Sequence, residues 1–201
     1  VNISDFQGYI LPRAKGCPGI VADFNARLAI IELCTKSLLW REDQSNVATI
    51  ADTTSYAYGF AAGQQFVRLL SLTLAGVGVE VVDPRIGRAR DLTAWVSAYA
   101  YGRMSGFELR PAQAAALVIK THCAVAPTLA AATVPDEFMR FAEAIAHGAL
   151  SRILTERDKT YSDPGGAARA QALWDKAIDC ASYEAFNGGA RVVQRTTKVM
   201  F

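Results

Sequence analysis

The sequence predicts an α+β fold: a three- to four-helix bundle with an inserted antiparallel β-sheet and an extended C-terminal arm. Three observations carry this expectation. Apolar residues recur at helical spacing near both ends of the chain, over 18–39, 135–154 and 164–186. Between them the helical period disappears, and short runs suited to strands are separated by glycine, proline and aspartate. Past Gly188-Gly189 the chain reads ARVVQRTTKVMF, with no turn signal and no helix cap. The expected organisation is a helical part formed by 1–40 and 134–189, a β-rich insertion at 41–133 and an arm at 190–201.

In chain order, 1–16 reads as an irregular lead-in ending in proline and glycine. Pro18 suits the first turn of the next helix. That helix takes its period from Ile20, Phe24, Arg27/Leu28, Ile31, Cys34 and Leu38, with Asp23 and Arg27 spaced as an i,i+4 pair. Around 29–33 it is apolar on more than one side, which predicts more than one neighbour, in the subunit or in an oligomer. The segment Trp40-Arg41-Glu42-Asp43 closes it. Strands are expected at 46–51, 54–58, 66–74, 79–82, 94–101, 106–110 and 116–125, with hairpin turns at Gly76-Val77-Gly78 and between Gly102 and Gly106. Short connections of this kind predict an antiparallel meander. The loop DPRIGRARD carries Arg85, Arg88 and Arg90, readable as a solvated loop or as a contact loop for an acidic partner surface. The helix over 135–154 places Phe138, Phe141, Ile145, Ala149 and Ile153 on one stripe, and Arg140, Glu143, His147 and Ser151 on the other side. Asp163-Pro164 then supplies an N-cap followed by proline at the first helical position. In the last helix Ala167, Ala170, Trp174, Ala177/Ile178, Ala181 and Ala185 line one face, small residues with one large anchor. The arm holds Arg191, Arg195 and Lys198 and no acidic residue, and it ends in Val199-Met200-Phe201. An apolar tip on a basic, extended segment favours docking on a partner by strand addition or in a groove over a frayed end.

Composition excludes several classes. With 51% hydrophobic and 20% charged residues, a packed core is available, and a net charge of +2 is too small to argue for a nucleic-acid surface. No apolar run reaches the ~18 residues of a membrane helix. The first residues lack the basic-then-apolar order of a secretory signal, so a soluble protein assembled in a cytosol is expected. The four cysteines, Cys17, Cys34, Cys123 and Cys180, form no CxxC pair and read as small buried hydrophobes. His122 and His147 have no metal-ligand spacing around them. There is no GxSxG, P-loop, GxGxxG, HExxH or EF-hand loop. Cys17, before a helix, has the position of a nucleophilic cysteine but no histidine placed to serve it. No catalytic residue, cofactor site or metal site is expected.

The order of landmarks adds a further reading. A first helix ending in Trp40-Arg41-Glu42 is followed by FVRLLSLTL and VEVVDP, then by FAEAIAHGAL, Tyr161-Ser162-Asp163-Pro164 and a basic tail. This resembles the head-to-tail adaptor (connector) proteins of tailed bacteriophages, of the tail tubular protein A type. The resemblance implies a structural virion protein rather than an enzyme. It implies a ring, usually of twelve copies, docked under the portal protein at the head–tail junction and assembled in the host bacterial cytoplasm. Such a ring continues the channel through which genomic DNA passes without sequence-specific contacts, and it presents a platform to a tail tube, nozzle or stopper protein. The resemblance also implies that the C-terminal segment grips the portal, which maps here onto Arg191, Val192, Val193, Arg195, Lys198, Val199, Met200 and Phe201. Two readings compete: a small soluble α+β binding or hydrolytic protein with an unrecognised site, and a DNA-packaging factor, which would need a continuous basic face.

Overall fold

The computed structural model describes residues 1–44, 46–85 and 98–187. Its largest element is one sheet of eight strands, curled into a half-barrel. The strands are β1 (Arg41–Asp43), β2 (Val47–Ala48), β3 (Ser55–Ala57), β4 (Gln64–Leu74), β5 (Val77–Val81), β6 (Tyr99–Arg103), β7 (Gly106–Arg110) and β8 (Val118–Pro127). Their order is β1-β8-β4-β5-β6-β7-β3, with β2 also paired to β8. Among the described residues the α-helices are α1 (Gln7–Ile10), α2 (Gly19–Ser37), α3 (Ala142–Ile153) and α4 (Pro164–Phe186). Two 3-10 helices, Ile3–Phe6 and Asp136–Phe141, precede α1 and α3.

This overturns the expected helix bundle with an inserted antiparallel sheet. The sheet is mixed, because β5 and β6 run parallel, with Glu80 opposite Tyr99 and Val81 opposite Ala100. The chain over 82–98 is long enough for the crossover that a parallel pair requires. Turn residues on both sides of that stretch suggest successive hairpins instead. Among the described residues two hairpins are present: β4–β5 and β6–β7. The first turns at Ala75-Gly76, both at positive φ (48° and 83°), the type I′ geometry that suits the sheet's twist, one position before the expected turn. The first strand comes earlier than the one expected at 46–51: Arg41–Asp43, in the segment read as closing the first helix, is the edge strand β1. Register shifts between Phe66 and Arg68 and between Leu69 and Ser71 interrupt the β4–β8 ladder, and such bulges increase the local twist that curls a sheet.

A core of the sheet's own buries Tyr56, Leu69, Leu72, Phe107, Leu109, Ile119, Cys123 and Val125, with Tyr58 stacked on Phe66. Helices pack beside the sheet, α2 against β8, and Ala126 of β8 belongs to the helical core. Trp40 borders both cores. An isolated bridge, Asn2 to Thr133, helps tie the N-terminal segment to the return from the sheet.

The helix faces are part agreement and part correction. In α4 the buried residues are Ala167, Ala170, Trp174, Ile178, Ala181 and Ala185, the face the spacing predicts. The Asp163 side chain accepts from Gly166 N–H at 2.9 Å, as an N-cap should, and Pro164 opens the helix. The stretch before α3 is 3-10 rather than α-helical. Phe138, Ile145, Ala149 and Ile153 are buried, Phe141 is half-buried, and Ser151, placed on the polar side by its spacing, is buried with its hydroxyl donating to Gly148 O. In α2 most of the expected stripe lies away from the core, and of its residues only Cys34 is buried. The buried residues are Ala22, Asn25, Ala26, Ala29, Ile30, Leu33, Cys34 and Ser37, whereas Ile20 is 78% and Phe24 49% exposed. Asp23 and Arg27 bind elsewhere: Asp23 accepts from Gln7 Nε2, and Arg27 Nε donates to Ala131 O.

Candidate docking surfaces

The expected arm, Arg191, Val192, Val193, Arg195, Lys198, Val199, Met200 and Phe201, lies outside the described residues, as do Arg88 and Arg90. Arg85 is exposed, and its backbone N–H donates to the Asp83 carboxylate at 2.8 Å. The root of the arm is described. α4 ends at Phe186, 87% exposed, and Asn187 closes the last turn by donating to Tyr183 O. One turn earlier Glu184 pairs with Arg140 at 2.9 Å, tying the end of α4 to the Asp136–Phe141 turn. Arg140 also lies over the Phe141 ring, 4.6 Å from its centroid. Beside this pair is a groove of about 350 Å³ lined by Trp40, Glu42, Glu137, Phe138, Arg140 and Phe141. Its walls are aromatic, and its lining includes the carboxylates of Glu42 and Glu137.

Two polar clusters arise from strand pairing, and the sequence does not reveal them. Asp43 on β1 and Ser71 on β4 both stand opposite His122 on β8. The His122 ring nitrogen Nδ1 lies 2.8 Å from the Asp43 carboxylate. The three line a polar groove of about 360 Å³. Its remaining lining includes Lys120 and Gln44, whose buried side-chain oxygen has no hydrogen-bond partner. On the β6–β7 hairpin, buried Glu108 pairs with both Arg103 and Arg110 and accepts from the Tyr101 hydroxyl. Two guanidinium groups thus share one carboxylate at this corner, with Met104 exposed at the hairpin tip. Residues so far apart in sequence as Asp43, Ser71 and His122 meet only through register, so no local motif announces them.

The cysteines divide. Cys17, Cys34 and Cys123 are buried, whereas Cys180, expected among apolar neighbours, is exposed on α4. Burial, and secondarily the charge of Glu156, raises the Cys17 thiol above its ordinary value, the opposite of what a nucleophilic cysteine requires. Burial pushes Cys34 up to about 12 and Cys123 up to about 11. For His147, burial and the nearby Arg13 outweigh the opposing charge of Glu143 and hold the ring below its usual value. Among the described residues no group of three or more His, Cys, Asp or Glu side chains is placed to hold a metal ion. None of their helices is long and apolar enough to cross a membrane.

The described geometry is therefore one of surfaces: an aromatic groove at the arm's root, a polar groove across three strands, and an arginine-bearing hairpin. No curated protein matches the chain. The family model described as SU10 adaptor protein matches residues 11–196, nearly the whole chain, from before α2 through the sheet to beyond α4. The chain belongs to the SU10 adaptor protein family, structural proteins of the phage virion that contact other phage head and tail proteins.

Proposed function

We propose that this adaptor is of the tail tubular protein A type: a ring, of twelve copies, that docks under the portal protein, continues the DNA channel and offers the platform for a tail tube, nozzle or stopper protein. The observation that carries the reading is the family match over 11–196, joined to the character of the segment that follows α4. The arm 190–201 bears Arg191, Arg195 and Lys198 without an acidic residue, and its apolar residues Val192, Val193, Val199, Met200 and Phe201 favour an extended, docked state. One arm binds weakly; a ring multiplies it, because each further arm binds at the high effective concentration set by its neighbours. Arg85, Arg88 and Arg90 act as a second contact toward acidic partner surfaces. DNA crosses the lumen without base contacts, which a net charge of +2 permits. Assembly takes place in the host bacterial cytoplasm.

Deleting 190–201 tests the arm. The truncated chain should keep its helical circular dichroism and lose stable attachment to portal in co-sedimentation. Attachment equal to that of the full chain refutes the docking arm. Raised salt should weaken attachment of the full chain, since its charged part is screened.

A further inference from the structure

The groove beside the Arg140–Glu184 pair forms where three elements meet. Trp40 comes from the approach to β1, Phe141 from the 3-10 helix Asp136–Phe141, and Glu184 holds the end of α4 against that helix. Behind them Phe138 is buried edge-on to Trp40, which fixes this wall by packing. The Trp40 and Phe141 rings are themselves half-buried and keep apolar surface open to a further group. At about 350 Å³ the groove lies at the low end of the range for ligand sites, about 300 to 1,000 Å³. It has room for a few side chains of an extended segment, not for the surface of a folded partner.

The ionisable residues of its lining are Arg41, Glu42, Glu137 and Arg140. Arg140 is matched by Glu184 at 2.9 Å. Glu42 Oε1 accepts from Trp40 Nε1 and Gln64 Nε2, neutral donors that orient the carboxylate and leave its charge in place. Glu137 is exposed. Arg41 therefore stands against two carboxylates, and the groove carries one negative charge in excess.

The segment 190–201 is complementary to this lining. Its charged side chains are Arg191, Arg195 and Lys198, with no acidic side chain among them, and it holds the apolar run Val199-Met200-Phe201. Methionine and phenylalanine both make favourable contacts with aromatic rings. The segment also starts in the right place. α4 ends at Phe186, within a turn of the Glu184 side chain that touches the groove's Arg140. Gly188 and Gly189 follow, and glycine accepts either sign of φ, so the sequence permits a reversal there. Residues 188–201 span up to about 46 Å at about 3.3 Å per residue, so reach sets no limit. Tethering gives this segment a high effective concentration at the groove of its own chain, which the same segment of a separate copy lacks.

We infer that 190–201 folds back onto its own chain, with Val199-Met200-Phe201 against the Trp40 and Phe141 rings and Arg195 and Lys198 beside Glu42 and Glu137. The contact is autoinhibitory: a partner that takes the arm must first draw it from the groove. The inference rests on the reading of 190–201 as a docking arm and gives that arm a seat in the free subunit.

The test uses the full chain, isotope-labelled, with a nitroxide on T197C in a C180S background, because native Cys180 is exposed. In NMR spectra the amides of 39–42 and 137–141 should broaden several-fold more than those around Ile20 and Met104. Glu137→Lys should at least halve that broadening, and so should R195Q/K198Q. The second variant leaves the folded residues unchanged and decides the matter should the first fail to fold. Broadening centred elsewhere, or unchanged by the variants, overturns the inference. A mixture of isotope-labelled chain without nitroxide and nitroxide-bearing chain without isotope should show no broadening in the groove. Broadening in that mixture assigns the groove to a second copy's arm and equally overturns the same-chain contact. Portal co-sedimentation is read separately. Glu137→Lys, its arm already free, should attach sooner than wild type, and no gain in rate refutes the autoinhibition. Attachment that needs 190–201 without groove broadening removes the seat and leaves the docking arm. Groove broadening with attachment indifferent to 190–201 removes the docking arm and leaves the seat.

Discussion

Gly148 is the residue at which the three longest helices meet. A Cβ there would lie 2.8 Å from the Trp174 ring and 3.0 Å from the Ala29 Cβ, so α2, α3 and α4 approach as closely as they do because this position has no side chain. Trp174 is fully buried and its Nε1 donates to Glu32, so the ring has little room to give way. Alanine gains about 1 kcal/mol of helix propensity over glycine, but overpacking a filled core costs about 1 to 3 kcal/mol. Gly148→Ala should therefore destabilise the chain on balance, read as a lower urea midpoint with an unchanged slope. Glu32 holds the same junction by accepting from Lys36, Arg152 and Trp174. Burial alone would raise its pKa, but the hydrogen bonds from Lys36 and Trp174 and the charges of Arg152 and Lys36 prevail, and the carboxyl sits below the ordinary value of 4.5. A lowered folded value contributes stability that is present above 4.5 and is lost as pH falls through the folded value. In thermal melts, the advantage of wild type over Glu32→Gln should shrink as the pH is taken from neutral to well below the ordinary carboxyl value. A constant gap would remove Glu32 from the pH response.

The 3-10 helix before α3 shows what periodicity can and cannot assign at the scale of an element. The spacing puts Phe138 and Phe141 on one buried stripe, but a 3-10 helix has about three residues per turn and rotates them relative to an α-helix. Phe138 is buried with its ring edge-on to Trp40 at 5.8 Å, while Phe141 is half-buried under Arg140. Phe138→Ala should cost about 3 to 5 kcal/mol, the usual loss for a buried phenylalanine, and Phe141→Ala less than half of that. Equal losses in chemical denaturation would mean that both rings are core. α2 carries the same lesson more sharply. Its larger apolar residues form the evident period, but the helix buries its alanines, because small residues permit the close approach to α3 that Gly148 also requires. The α4 face was legible because Trp174 and the alanines share a single stripe with no apolar rival of equal strength. Hairpins marked by glycine were legible to within a residue. The parallel β5–β6 pair was not, since it depends on how a crossover returns to the sheet rather than on any turn residue.

Across the whole molecule, sheet and helices share one boundary. Trp40 touches both cores and donates to Glu42 on the edge strand, and Ala126 of β8 sits within the helical core. Denaturation followed by helical circular dichroism and by tryptophan fluorescence should therefore give coincident transitions, as a single cooperative unit requires. Trp40→Ala should separate them by weakening the shared boundary; two transitions in the wild type would show that the layers unfold independently.

By itself the sequence determined the presence of helices at both ends, the β-rich middle, the α4 face and the resemblance to phage adaptors. Each rests on patterns within a few tens of residues, where propensity, caps and spacing act. Only the tertiary structure decided the mixed order of the strands, the buried face of α2, and the meeting of Asp43, Ser71 and His122 or of Glu108 with its two arginines. Those depend on register and on close approach between distant segments. A chain with two apolar faces on one helix leaves open which face the subunit buries until its neighbours are in place.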